Sequence, residues 1–359
     1  MGWIRTVLVG VLLLAIAGPP VWAARDSAWA PTGLTGPVLD VVPLQDGTLL
    51  ARTTDQFLRS EDGGASWLAV AVPGSPDAVA ADPLDSMTLY AAGSEGLYKS
   101  TDDAATWALV LPTAETVQAV AVSPADRALI YLALTRAPTN SSDFRFLRSR
   151  DGGATWEQLE EFHNSLCGWG VRILQPHPAN AGRVFRTANC YAGRNLSDAL
   201  RQSLDAGATW EDLFEPQLAF PTGLVGGSGA DPQRYYLAAN RDTRAGGSSV
   251  FRSDDDGRTW SEVLAFRGGG TQEQPDLPNV GLGGLAYDPG APNRVYVGLT
   301  GSGRGMRAST DGGRTWADLG GADLGPIHAL AVSPTGEDLY AATDTGLWRH
   351  RRGAGKLGG

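Results

Sequence analysis

The sequence predicts an all-β fold, a ring of seven four-stranded antiparallel blades, and three observations predict it. An octet of one pattern recurs six times, as SEDGGASW (60–67), STDDAATW (100–107), SRDGGATW (149–156), SLDAGATW (203–210), SDDDGRTW (253–260) and STDGGRTW (309–316). Between octets lie three short runs in which apolar residues alternate with small or polar ones, broken by Pro, Gly, Asp and Asn, which is strand and turn chemistry. A fourth run starts at the octet's own tryptophan, as in TWALVL and SWLAVAV. Four strands repeating every 40 to 56 residues make a β-propeller.

From the N-terminus, Arg5 precedes an apolar run of 11 residues, Val7 to Ala17, and then GPPVWA, with Val21 and Ala23 at the small-residue positions of a cleavage site. Residues 1–23 read as a secretory signal peptide; a membrane-spanning helix needs roughly 20 apolar residues. The mature chain is expected to be exported, secreted or extracytoplasmic, and free of stable membrane insertion. A single propeller domain is expected over 24–350, and a flexible tail over 351–359.

Six octets suggest six blades, which is the alternative count. Two partial units argue for seven. IHALAVSPTGEDLYAATDTGLWRH (327–350) supplies three strands and stops without an octet, and DSAWAPTGLTGPVLDVV (26–42) places Trp29 at the octet-tryptophan position with no octet before it. Seven blades result if the last takes three strands from the C-terminus and one from the N-terminus, which closes the ring and removes its open edges.

The octet falls between the third and fourth strands of each unit. Its Asp can accept hydrogen bonds from backbone N–H groups ahead of it, its Gly permits positive φ, and its Trp can cover the turn and bury apolar area between blades. These residues resemble the Asp-box, or bacterial neuraminidase repeat, Ser-x-Asp-x-Gly-x-Thr-Trp. The resemblance implies a structural hairpin, with Asp62, Asp102, Asp151, Asp205, Asp255 and Asp311 each followed five residues on by Trp67, Trp107, Trp156, Trp210, Trp260 and Trp316. Copy two, with Asp103 and Ala104 where glycines are common, is expected to form a less regular turn.

With strand A innermost, the A–B and C–D connections share one face and the B–C and D–A connections the other. Insertions fall on the second face, including TRAPTNSSDFRF (135–146), EEFHNSLCGWG (160–170), CYAGRNLSDALRQ (190–202), NRDTRAGGSS (240–249), FRGGGTQEQPDLPN (266–279) and TGSGRGMR (300–307). Elaboration on one face of a rigid scaffold is where binding develops. The candidate binding residues are therefore Arg136, Arg145, His163, Trp169, Arg172, Tyr191, Arg194, Arg241, Arg244, Arg304 and Arg307, arginines and aromatics suited to a carboxylate, a phosphate or a sugar face. The competing reading is that these arginines pair with neighbouring carboxylates. Cys167 and Cys190 reach the same face of blade 4, and after export they are expected to form a disulfide.

The net charge is −10, and the only lysines are Lys99 and Lys356. Such a chain lacks the cationic footprint that nucleic acid or an anionic membrane requires. The four histidines show no metal-ligand spacing, so no metal and no cofactor is expected. Single propellers of this repeat resemble the photosystem II assembly and stability factor family, which implies a non-catalytic binding or assembly scaffold; a protein or carbohydrate ligand and a monomer are expected. The alternative is a glycoside hydrolase, sialidase-like or otherwise exo-acting, since sialidases and xyloglucan-degrading enzymes share the repeat. Against it, blade 1 reads LDVVPLQDGTLLART without a sialidase arginine stretch, and Glu160, Glu161 and Glu273 form no evident pair. Binding without catalysis is the expectation.

Overall fold

The structure, a computed structural model, describes residues 29–73, 78–93, 95–136, 143–162, 171, 173–192, 195–214, 219–228, 230–241, 247–267, 281–300 and 305–351. The expected signal peptide lies outside these residues. So do Cys167, His163, Trp169, Arg172, Arg194, Arg244 and Arg304.

Strand β1 (Trp29–Thr35) belongs to the last blade. Blade 1 is β2 (Val38–Pro43), β3 (Leu49–Thr53), β4 (Phe57–Ser60) and β5 (Leu68–Val70). Blade 2 is β6 (Ala78–Asp82), β7 (Asp85–Gly93), β8 (Gly96–Ser100) and β9 (Ala108–Pro112). Blade 3 is β10 (Thr116–Val122), β11 (Ile130–Arg136), β12 (Asp143–Ser149) and β13 (Glu157–Phe162). Blade 4 is β14 (Leu174–Pro176), β15 (Val184–Ala192), β16 (Asn195–Ser203) and β17 (Glu211–Phe214). Blade 5 is β18 (Ala219–Ser228), β19 (Asp231–Arg241), β20 (Gly247–Ser253) and β21 (Ser261–Arg267). Blade 6 is β22 (Gly281–Asp288), β23 (Ala291–Thr300), β24 (Gly305–Ser309) and β25 (Ala317–Gly320). Blade 7 joins β26 (Ile327–Val332), β27 (Asp338–Thr343) and β28 (Gly346–Arg351) to β1, in the order β1-β28-β27-β26. All seven sheets are four-stranded and antiparallel, so the count is seven rather than six. Among the described residues no helix is long and apolar enough to cross a membrane.

Strand B is flanked by sheets on both sides and reads as a nearly continuous apolar run. Ile130 to Leu134 are all fully buried. Strand D faces outward, leaving Leu68 and Leu109 exposed. The core is therefore divided into layers between successive blades. Tyr90 and Leu97 of blade 2 pack with Leu132 and Trp156 of blade 3, and Trp29 packs with Met306 of blade 6 and Leu339 of blade 7.

In every octet the serine, not the aspartate, is the buried member, at 1–2 % exposure. Its hydroxyl accepts the N–H of the residue four positions on and donates to the aspartate's Oδ1. In the last copy these are Gly313 N to Ser309 Oγ, 2.7 Å, and Ser309 Oγ to Asp311 Oδ1, 2.8 Å. The aspartate then caps the following Thr or Ser through both its N–H and its hydroxyl, as at Thr315 (2.9 and 2.6 Å). These bonds hold Asp151, Asp205, Asp255 and Asp311 down at a pKa of about 2, the Thr hydroxyl being the first cause, and they hold Asp62 and Asp102 low as well. Copy two corrects the expectation of irregularity. Its hydrogen bonds match the others, at 2.8 Å (Ser100 to Asp102) and 2.9 Å (Ala104 N to Ser100), although Asp103 (φ 61) and Ala104 (φ 65) occupy the left-handed region that elsewhere favours glycine.

The residue preceding the octet serine does further work. In blade 1 it is Arg59, in blade 2 Lys99, in blade 3 Arg148 and in blade 5 Arg252, with Arg349 at the matching place in blade 7. Each reaches the turn carbonyl of the next blade's octet. Lys99 Nζ donates to Gly152 O (2.8 Å), Arg252 to Gly312 O (2.8 Å), Arg349 to Gly63 O (3.2 Å), Arg59 to Asp103 O (3.4 Å) and Arg148 to Ala206 O. Blade 4 has Gln202 there, and Arg183 from the start of strand B takes the role, holding both the Asp256 carbonyl and its carboxylate. Blade 6 has Ala308, and its neighbour, blade 7, has no octet to hold. Trp29 Nε1 donating to Leu319 O, 3.2 Å, bridges that joint instead.

Candidate functional site

Octet turns hydrogen-bond to the A–B connections, as in Gly152 N to Ala128 O, 2.9 Å, while the D–A connections meet the B–C turns, as in Thr113 N to Glu95 O, 3.0 Å. The two faces are thus distinct, and the strand A segments of neighbouring blades pack against one another around the axis.

The elaborated face is built differently from the expectation. Among the described residues, the B–C insertions of blades 3, 4 and 5 are longer hairpins. Strands β3 and β4 are five and four residues long, whereas β15 and β16 are nine each and pair without a break to Ala192↔Asn195. The B–C hairpins of blades 3 and 5 pair out to Arg136↔Asp143 and Asn240↔Ser248. Accordingly Arg136, Tyr191 and Arg241 sit at the far ends of β11, β15 and β19, and Cys190 is in β15 opposite Ser197. Arg145 and Arg307 are strand residues with partners already in place. Arg145 Nε donates to Glu115 (2.8 Å), and Arg307 Nη1 meets Asp318 at 2.9 Å. For these two, pairing with neighbouring carboxylates is what the structure displays. Glu160 and Glu161 lie in β13, opposite Phe146 and Arg145, and Glu273 is outside the described residues.

Sequence reasoning missed a buried arginine. Arg186, the third residue of β15 and fully buried, pairs with Glu160 of blade 3 and lies over the rings of Trp210 (4.2 Å), Phe146 (5.2 Å) and Phe144 (5.6 Å). Burial pulls its pKa down to about 10 and raises that of Glu160. It is enclosed between blades and serves their packing.

It also missed a charged rung beside the axis. Five of the inner strands shift register within their first few residues, between Val38/Asp40, Val117/Ala119, Pro221/Gly223, Leu282/Gly284 and Ile327/Ala329. A bulge there bends strand A at the mouth of the elaborated face. The rung just inside it pairs Ala78–Ala92, Ala119–Ala133, Gly223–Ala238, Gly284–Gly298 and Ala329–Ala342 in blades 2, 3, 5, 6 and 7. Small residues suit it because successive blades converge there. A Cβ on Gly284 would meet Leu330 N at 2.9 Å. In blade 1 the same rung is Asp40–Arg52, both half-buried. Asp40 accepts the N–H of Val41, 2.9 Å; burial raises its carboxyl above the usual range, opposed by that N–H and by the charge of Arg52. Stacking strands A and B of all seven repeats in register would have exposed this column.

Among the bulge residues, Gln118 accepts the N–H of Val171 from blade 4 (3.1 Å) and Thr222 donates to Ala238 O (3.3 Å). In blade 7 His328 Nε2 lies 2.7 Å from Asp344 Oδ1 in the B–C turn, both accessible on the elaborated face.

No family model matches the sequence. It is similar to a xyloglucanase of Acetivibrio thermocellus, 30% identical over 221 residues, which is 53% of this chain and 26% of that one. A Paenibacillus xyloglucanase is 26% identical over 243 residues, covering 58% of this chain and 23% of that one. The chain thus spans about a quarter of the length of these curated relatives. Among solved structures, the xyloglucanase of Xanthomonas campestris superposes with a TM-score of 0.66 at 20% identity, over 90% of this chain and 53% of that one. YCF48 of Cyanidioschyzon merolae superposes with a TM-score of 0.57 at 13% identity, over 90% and 98%. These superpositions establish the propeller fold. The sequence relatives are xyloglucanases, and they overturn the expectation of a non-catalytic binding or assembly scaffold in favour of the glycoside hydrolase alternative.

Proposed function

We propose that this chain is the carbohydrate-active propeller of a glycoside hydrolase, exported through its N-terminal signal, whose substrate is a β-linked glucan of the xyloglucan class. The observation that carries the reading is the sequence similarity to xyloglucanases, which extends over more than half of the chain. The octets are Asp-boxes in a structural role, and the substrate lies on the opposite face, against the tall B–C hairpins of blades 3, 4 and 5. Raised hairpins beside a bulged axial mouth form walls for an extended chain of sugars. The candidate arginines and aromatics of this face, Arg136, Tyr191, Arg241, Trp169 and Arg194, are of the types that stack on sugar rings and bond their hydroxyls. A Cys167–Cys190 disulfide would brace the tallest of them.

The test is direct. The full chain is incubated with xyloglucan, and released reducing ends are measured alongside retardation of the protein in xyloglucan-containing native gels. Release of reducing ends with retardation is the expected result. A chain that neither binds nor cleaves xyloglucan or its oligosaccharides refutes the reading.

A further inference from the structure

The joint between blades 4 and 5 departs twice from the others. Its clasp comes from Arg183 at the start of strand B, because Gln202 stands where blades 1, 2, 3 and 5 carry Arg or Lys. The second departure is in the turn that carries Arg183. In blades 2, 3, 6 and 7 the residue at the end of strand A precedes a proline and accepts an N–H of its own turn through oxygen: Asp82 from Leu84 (2.9 Å), Ser123 from Asp126 (3.3 Å), Asp288 from Gly290 (3.0 Å) and Ser333 from Asp338 (3.0 Å). Blade 4 has His177 before Pro178, and its acceptor is an imidazole nitrogen, Nδ1, 3.1 Å from the Ala179 nitrogen. Histidine is the side chain whose ordinary charge change falls near neutrality.

The ring is buried, at 5 % exposure, and its hydrogen bond fixes its state. A backbone N–H can only donate, so Nδ1 carries no proton and the neutral ring's proton is on Nε2. Nε2 faces the carbonyl of Pro232 and, at 3.6 Å, Asp256 Oδ1. The charged and titratable groups around this ring are Arg183 from its own blade, with Glu211 beyond Gln202, and Asp256, Tyr235 and Arg258 from blade 5. A second proton would sit on Nδ1 and meet the Ala179 N–H donor to donor, beside the buried Arg183 guanidinium. Asp256 draws the other way, but Arg183 already occupies its Oδ2 and its Oδ1 is beyond hydrogen-bond reach of the ring. Burial, and after it the charge of Arg183, holds the ring's pKa below the usual histidine value. The same turn carries the clasp. His177 N–H donates to Arg183 O (2.9 Å) and Arg183 N–H to Asn180 O (3.0 Å), so the turn that a proton would disturb is the one that aims the guanidinium at Asp256.

We propose that His177 makes the joint between blades 4 and 5 a proton-operated one: neutral, it holds the turn that aims Arg183, and protonated in mild acid it releases that turn and its clasp while the other joints stay closed. The joined blades carry the hairpins β15–β16 and β19–β20, so the release frees two tall walls of the elaborated face from one another. The switch holds whether or not the chain cleaves a glucan. The unfolded chain takes up the His177 proton below about pH 6.5 and the folded chain at lower pH. Stability is therefore complete above about pH 6.5 and is lost below it, the unfolding constant rising up to about tenfold per pH unit. The octet aspartates, titrating near 2 when folded, give way in a separate window below about pH 4.

Three measurements on the full chain test this. Guanidinium unfolding is compared at pH 7.5 and 5.5 for wild type and His177→Asn, whose amide oxygen can accept the Ala179 N–H as Asp82 and Asp288 accept theirs, but which takes no proton. The wild-type unfolding constant should rise by up to about tenfold between the two pH values, and that of the variant by less than about threefold. No rise in wild type, or an equal rise in both, overturns the proposal. The second measurement needs no variant: the His177 imidazole is titrated by NMR in folded wild type. A midpoint below about 6.5 is expected; one at or above it means that the attraction of Asp256 wins, and refutes the switch. The third locates the effect by hydrogen exchange at the same two pH values, corrected for intrinsic rates. Faster exchange in acid should be confined to residues 177–183 and 254–258, with the corresponding turn of blade 3, 123–129, unchanged; a uniform rise around the ring refutes a joint-specific device.

Discussion

Replacing Ser309 by alanine tests the structural reading of the octet at its buried atom. The serine is 1 % exposed, and its Oγ accepts the Gly313 N–H at 2.7 Å while donating to Asp311 at 2.8 Å. Alanine fits the space, so the change removes one oxygen and leaves a buried N–H without a partner. An orphaned buried donor costs about 1–3 kcal/mol. The aspartate also loses one of the donors that keep it ionised, although it retains Thr315. Guanidinium unfolding, followed by tryptophan fluorescence, should show the midpoint falling at constant slope. Ser203→Ala, two blades away and sharing no partner, should add to it within about 0.5 kcal/mol. Xyloglucan binding by the folded variant should equal that of wild type. A variant with unchanged unfolding midpoint, or one that folds normally and loses binding, would refute the argument that the octet is a hairpin lock.

Other outcomes follow from the same geometry. Arg148→Ala removes a buried guanidinium that holds the Ala206 carbonyl and Glu157, and should cost about 1.5–3 kcal/mol by the same assay; Ala308→Arg should add nothing, since blade 7 presents no octet to receive it. Arg186→Ala strands Glu160 and should cost about 3–5 kcal/mol, whereas Arg186→Met with Glu160→Gln should recover most of the loss, read as the two unfolding midpoints. The octet aspartates titrate near 2 in the folded chain against about 3.9 unfolded, so their contribution is complete above about pH 5 and is lost as the pH falls from about 4 toward 2. Circular dichroism across that range should show stability declining there, and Asp-to-Asn changes at the octets should flatten the decline.

The ring, its blade number and the split last blade are legible in the sequence because the octet marks one fixed point per blade and Trp29 marks the missing one. The charged rung was hidden because it is a property of register: Asp40 is unremarkable in VLDVV until strand A is laid against strand B. Arg186 was hidden for a related reason, since RVFRTA reads as an alternating strand whose arginine faces water, whereas strand B has blades on both sides. The inserted segments misled in another way. Added residues can lengthen a loop or extend two strands of a hairpin, and Arg145 and Arg307 were placed in loops although the ladder runs through them. The arginine or lysine before the octet serine was visible in four units, yet its purpose depends on the neighbouring blade, which no single repeat contains.

Those cations give the ring a direction. The clasps of blades 1 to 5 each reach forward, from a blade to the turn of the one that follows it in the chain, and Arg349 of blade 7 reaches round to blade 1. A chain emerging from synthesis can therefore have every new blade caught by its predecessor, up to blade 6. The joint between blades 6 and 7 has no such catch and depends on β1, the first of the described strands and the last to find its place. Assembly is thus progressive from blade 1 to blade 6 and all-or-none at blade 7, and a nascent chain carries an unpaired β1 until β28 is made.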